Sequence, residues 1–86
     1  MSDVDATLAD RGKRYGAFDT HAEVTQYLKG VMHRSPKWLD LSHDKKEALD
    51  MIAHKIGRIL NGDPNYADSW HDIAGYAKLA EDGCKA

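Results

Sequence analysis

Two pairs of acids stand at helical spacing in the sequence, Glu47 and Asp50 in EALD and Asp68 and Asp72 in DSWHD. Carboxylates about one turn apart can share Mg²⁺, a hard cation that prefers oxygen ligands and keeps several of its waters. The same spacing is common on exposed helices, and Asp68 has a second explanation, because the positive end of the helix dipole favours an acid in the first turn. Asp68 and Asp72 are therefore the candidate metal ligands that spacing offers, with a solvated helix face as the alternative. The histidines offer no zinc pattern: His54 and His71 lack the spacing of a structural site, and His21, His33 and His43 are scattered surface or core residues.

Cations gather in RGKRYG (11–16), where Arg11, Lys13, Arg14 and Tyr15 lie around and between two glycines. Read as a loop, this segment exposes amides and positive charge to a phosphate and an aromatic face to a base. It is neither a P-loop nor a dinucleotide fingerprint, since no strand precedes it and the glycine spacing differs. A solvated basic turn is the plain alternative. Further along, Glu47, Asp50, His54 and Arg58 fall within roughly 80° of one another at about 100° per residue, with Lys55 at the margin. Exposed i,i+4 neighbours would account for that line at a few tenths of a kcal/mol. The functional alternative is that it faces a polar stripe on the last helix. There Tyr66, Trp70, Ile73, Ala77 and Ala80 form the expected core face, while Asp68, Asp72, Gly75 and Leu79 fall on the far side, with Tyr76 flanking. Gly75 in mid-helix costs about 1 kcal/mol relative to alanine, so it hints at close approach by a backbone or ligand. Trp70 and Tyr76 join Tyr15 as candidate surfaces for a base.

The elements that must position these residues are helical. Apolar residues recur at helical spacing, and no sustained alternation marks a strand, so the expected fold is an all-α bundle of three main helices, completed by oligomerisation. Asp3 to Asp10 form at most a short helix in a loosely held N-terminal arm (about 1–16). Thr20 and Glu23 match a capping box that starts the first main helix, and Ser35-Pro36 ends it. Trp38, Leu39 and Leu41 are expected to plug the core from a connector. Ser42 caps the second helix, which Asn61-Gly62 stops in a left-handed turn. Pro64 opens the third, which runs to about Asp82.

The 86 residues carry a net charge of −2, without the positive excess that binding a nucleic acid polymer usually requires. At this size folding removes only about 60–65% of the unfolded surface from water, which makes self-association a reasonable expectation. The one cysteine, Cys84, excludes an intramolecular disulfide and reads as an incidental tail thiol in a reducing compartment. No apolar run reaches membrane-spanning length, and MSDVDATLAD lacks the order of a secretion signal, so a soluble cytoplasmic protein is expected.

Taken together, RGKRYG, EALDMIAHKIGRIL and DSWHDIAGYA resemble motifs of a family of small phage and prophage proteins, over roughly Arg11 to Leu79. That family is in turn distantly similar to the MazG-like all-α nucleotide pyrophosphohydrolases, whose paired-glutamate and Glu-x-x-Asp motifs hold Mg²⁺ around a triphosphate. The resemblance implies that Glu47 and Asp50 stand for part of the first motif, and Asp68 with Asp72 for the second. The second glutamate is missing, the later acids are four apart instead of three, and His54, Lys55 and Arg58 put positive charge where a metal cluster wants acids. Added cations disfavour a multi-metal site and favour an anionic phosphate.

The expectation is therefore an oligomeric protein that binds, and in a phage setting sequesters, a nucleotide or nucleotide-derived signal. Arg11, Lys13, Arg14, His54, Lys55 and Arg58 would surround the phosphates, with Tyr15, Trp70 or Tyr76 against the base. The alternatives are a Mg²⁺-dependent nucleotide pyrophosphohydrolase using the four carboxylates, and an oligomeric adaptor whose polar stripes mate with a protein partner.

Overall fold

A computed structural model describes residues 3–85. Four α-helices, one more than expected, are arranged in chain order: α1 Asp3–Tyr15, α2 Phe18–His33, α3 His43–Asn61 and α4 Ala67–Cys84, with a single 3-10 turn at Trp38–Asp40 between α2 and α3. The described residues contain no strand, and none of their helices is long and apolar enough to cross a membrane. The central helix is α3, packed along α4 on one side and α2 on the other, while α1 packs on α2 and α3.

The extra helix is where the basic loop was expected. RGKRY continues the helix begun at Asp3, with Asp3 and Asp5 in its first turn and Lys13 and Arg14 in its last, each sign matching the dipole. Gly12 does not break it. A methyl group there would meet nothing within 4 Å, so Gly12→Ala should stabilise the chain by about 0.5–1 kcal/mol through helix propensity alone, read as an increased urea midpoint. The break comes at Gly16, in the left-handed region at φ 78°, where its N–H still bonds the Gly12 carbonyl at 3.0 Å.

Asn61 fixes the two-residue turn between α1 and α2. Its side-chain amide donates to the carbonyls of Tyr15 at 2.8 Å and Ala17 at 2.9 Å, holding both sides of that turn against the end of α3. Helix α2 can thus restart at Phe18 with Ala17 at its N-cap, earlier than the Thr20–Glu23 box allowed. The Thr20 hydroxyl instead donates back to the Ala17 carbonyl at 3.0 Å. At the other end, α2 stops before Pro36 as expected, with the Ser35 hydroxyl donating to the Val31 carbonyl at 2.9 Å.

Other boundaries shift for local reasons. Ser42 occupies the N-cap of α3 but makes no side-chain cap bond. Gly62 ends α3 at φ −133° and ψ −138°, not left-handed, and is required because a Cβ would overlap the Arg14 carbonyl and the Tyr15 backbone. Pro64 lies in a turn ahead of α4: the Asp63 carboxylate accepts the Asn65 N–H at 2.9 Å, so the helix begins three residues later, at Ala67.

Burial also departs from the expected pattern. Among the described residues the buried apolar side chains are Ala48 and Ala53, joined by the polar His21, Thr25, Lys55 and Ser69. Trp38 is half-buried, its ring 4.5 Å from that of His33, whereas Leu39 is 83% exposed and plugs nothing. Phe18, Tyr27, Val31, Leu60, Trp70 and Leu79 are also exposed.

Candidate functional site

The end of α1, the start of α2 and the middle of α3 enclose a recess of about 440 Å³, lined by Leu8, Arg11, Gly12, Tyr15, Gly16, Ala17, Phe18, His21, His54 and Arg58. Three contacts build it. The Asp63 N–H donates to the Arg14 carbonyl at 2.6 Å, docking the end of α1 beside the end of α3. The Arg58 guanidinium lies 4.3 Å from the Tyr15 ring centre, and Tyr15 meets Tyr66 edge-on at 6.0 Å. Arg14 sits on the outside, 5.0 Å from the Tyr66 ring centre and donating to its hydroxyl at 3.2 Å, while that hydroxyl donates to Asp68 at 3.2 Å.

Two histidines form the floor. The His21 and His54 rings meet edge-to-face at 4.7 Å. His21 is 6% exposed, its Nε2 lies 3.4 Å from the Thr25 hydroxyl, and its Nδ1 makes no well-formed hydrogen bond although the Gly57 backbone lies close by. It reaches this depth because Gly57, opposite, has no side chain: a Cβ there would overlap the Thr25 hydroxyl and come within 3.2 Å of the imidazole. Burial lowers the His21 pKa, against an opposing pull from the Gly57 backbone, and the charges of Arg58 and Lys29 lower it further. His54 is pushed down to about 4, chiefly by burial and then by Arg58, His21, Lys29 and Lys55. Both rings are therefore neutral at pH 7, and the positive charge of the recess belongs to Arg11 and Arg58. Neither arginine has a carboxylate within ion-pair distance among the described residues, although the Arg58 charge reaches Asp72, and no described lining residue is acidic.

The recess thus unites four of the residues singled out by sequence: Arg11, Tyr15, His54 and Arg58. Others lie elsewhere. Lys13 is exposed on α1, and Arg14 is held by Tyr66 and by Asp10 at 3.5 Å. Trp70 is 55% exposed and donates its indole N–H to the Pro64 carbonyl at 2.8 Å. Tyr76 lines a separate open groove with His71, Asp72, Gly75 and Leu79. A Cβ on Gly75 would meet nothing within 4 Å, so no described group of this chain makes the close approach that its position suggested. His21 and Phe18 line the recess although residue type and spacing did not single them out as ligand contacts. The only signals were His21 and Thr25 one turn apart and a glycine, Gly57, three residues after His54.

Asp72 sits at the border between that open groove and the inward side of its helix. It faces α3, where its carboxylate meets the Lys55 ammonium at 2.8 Å, and Lys55 is only 9% exposed. The hydrogen bond and charge of Lys55 hold the Asp72 carboxyl below its ordinary pKa. A basic group of α3 does meet an acid of α4, but the pair neutralises itself.

The remaining carboxylates are similarly dispersed. Asp50 lies 2.7 Å from His33 Nε2, Asp68 accepts from Tyr66, and Glu47 stands toward the other end of α3. Glu47 and Arg58 are about 16 Å apart along the helix at 1.5 Å per residue. Among the described residues no three His, Cys, Asp or Glu side chains stand together as metal ligands. The donors of one copy therefore do not fit the Mg²⁺ cluster that the sequence resemblance implied.

A family match covers residues 3–83, from the first turn of α1 to the last turn of α4. The chain belongs to that family, described as a domain of unknown function (DUF6378). No curated protein and no solved structure matches it. The match includes every residue lining the recess, so the whole site lies within the family domain.

Proposed function

We propose that this protein binds a nucleotide or nucleotide-derived signal in the α1–α2–α3 recess and holds it without turnover. The observation that carries this reading is a concave site with two arginines outside any ion pair, aromatic faces and no acidic wall. Its volume is within the roughly 300–1,000 Å³ of ordinary small-molecule sites. Arg11 at the mouth and Arg58 inside suit phosphate oxygens, and the exposed Phe18 ring with the edge of Tyr15 suits a base. The neutral imidazoles contribute hydrogen-bonding capacity without an added charge to be desolvated. The resemblance of RGKRYG and DSWHDIAGYA to phage proteins, and through them to MazG-like helical enzymes of nucleotides, supports the same ligand class. The dispersal of Glu47, Asp50, Asp68 and Asp72 favours retention of the ligand over metal-assisted hydrolysis. In a phage-encoded protein, such retention would withdraw a signal from the host.

Calorimetry against a panel of mono-, di-, tri- and cyclic nucleotides tests this. Binding to at least one member is expected, weakened about tenfold in Arg58→Ala, the effect of losing roughly 1.4 kcal/mol from one charge-assisted contact. Lys13→Ala, on the exposed side of α1, should bind like the parent chain. Silence across the panel, or equal losses in both variants, would remove the proposal.

A further inference from the structure

Helix α1 is joined to the body near its C-terminal end, through the Arg14 and Tyr15 carbonyls and the Arg14–Tyr66 contact. No residue of α1 is buried, and Val4 and Leu8 are 66% and 60% exposed. Isolated helices shorter than roughly 12–15 residues are marginal in water, and most helical stability in proteins comes from packing an apolar stripe. With 13 residues, α1 leaves the apolar Val4 and Leu8 largely in water, the cationic Arg11 continues their line at i, i+4 and i+7, and an open groove along them is lined by α1 residues.

The charges of α1 indicate what fits there. Asp3, Asp5 and Asp10 precede Arg11, Lys13 and Arg14, so the helix is acidic in one half and basic in the other. Two such helices laid antiparallel oppose unlike charges, and a two-fold axis near Leu8 brings each flank against itself. Asp3, Thr7 and Arg14 share one flank, at i, i+4 and i+11. Asp3 of one copy then stands opposite the basic end of the other, where Arg14 also meets Tyr66 and Asp10 of its own chain, and Val4 opposite Arg11 and Gly12. Gly12, with open space beside it, permits the close approach.

We propose that α1 is a self-pairing arm, on which a second copy of this chain lays its own α1 antiparallel along Val4, Leu8 and Arg11. Because Leu8, Arg11 and Gly12 also line the recess, the second copy's Val4 covers its mouth, and the site is complete only in the pair. Exposed apolar surface and charge polarity carry this inference independently of any ligand.

Sedimentation equilibrium on the full chain tests it. The parent chain should be dimeric, and Leu8→Asp should dissociate it at least about tenfold more readily. The variant pairs Asp3→Lys with Asp5→Lys, and Arg11→Glu with Arg14→Glu, should each be monomeric, with helical circular dichroism confirming that the body is folded. Mixed together, they should form a dimer again. A monomeric parent chain, variants that associate like the parent, or a mixture that stays monomeric would each overturn the proposal. If the arm variants still dimerise fully, the copies meet on another face, such as Tyr27 and Val31 of α2, and the arm is not the interface.

Discussion

Gly57→Leu is expected to abolish the folded state, and Gly57→Ala to lower its stability by about 1–2 kcal/mol, even though alanine is the better helix former. Overpacking a closely fitted interior costs roughly 1–3 kcal/mol, and the alanine methyl would gain back at most about 1 kcal/mol of propensity. The collision is specific. A Cβ at residue 57 overlaps the Thr25 hydroxyl and stands 3.2 Å from two atoms of the His21 ring. Thr25 is 3% exposed and β-branched, so its side chain has little room to rotate away. Leucine would add the volume of three further carbons to the same contact and force α2 off α3. The double variant Thr25→Ala with Gly57→Ala should recover part of the loss, because the overlapping oxygen is gone. Urea denaturation of the parent, both single variants and the double variant closes the cycle. A single Gly57→Ala variant as stable as the parent would show that α2 and α3 need no such close crossing. Because the same crossing sets the depth of His21, a loosened variant should also weaken the nucleotide binding proposed for the recess.

The second large effect is a loss of stability in mild acid. His54 has a folded pKa of about 4, against about 6.5 in an unfolded chain. The unfolded state therefore binds more protons between these values, and unfolding becomes easier as pH falls through that window. The contribution is fully present above about pH 6.5 and exhausted near pH 4. With a discount for the part-exposed ring, His54 should account for about 1–2 kcal/mol over that range. His21, whose pKa is also lowered, acts in the same direction. Asp72 acts in a separate window: its depressed pKa stabilises the fold above the ordinary aspartate value, and that support is lost only as pH falls further. Urea midpoints measured from pH 7.5 down to 4.5 should fall in the parent chain and fall less in His54→Gln. Equal slopes would show that the His54 ring can be protonated without leaving its place.

Much of the bundle was legible in the sequence. Periodic apolar residues marked the helices now seen as α2, α3 and α4, and Pro36 and the Asn61-Gly62 pair marked their ends, because proline geometry and helix termination are local effects. Helix α1 was not legible beyond Asp10. Its two glycines looked alike on paper, yet Gly12 costs a tolerable increment inside a helix while Gly16 takes a left-handed conformation. Only the packing of Asn61 and Gly62 against that turn decides which of them breaks the chain.

The candidate site divides in the same way. Residue chemistry singled out Arg11, Tyr15, His54 and Arg58, since cations, an imidazole and an aromatic ring are recognisable wherever they stand. It could not separate them from Lys13, Arg14 or Lys55, which have the same chemistry and different surroundings. Nor could it place Asp72: α4 carries apolar or small residues on both sides, and the side it turns inward, with Ser69 buried and Ile73, Tyr76 and Ala80 half-buried, lies between the two, so that Asp72 at its edge reaches Lys55. By itself the sequence determined the helices, through short-range periodicity, and the supply of basic and aromatic groups. The tertiary structure alone decided which of those groups share a recess and which cancel one another, because contacts between Arg58 and Tyr15, or Lys55 and Asp72, join residues distant along the chain, and no local rule of spacing brings them together.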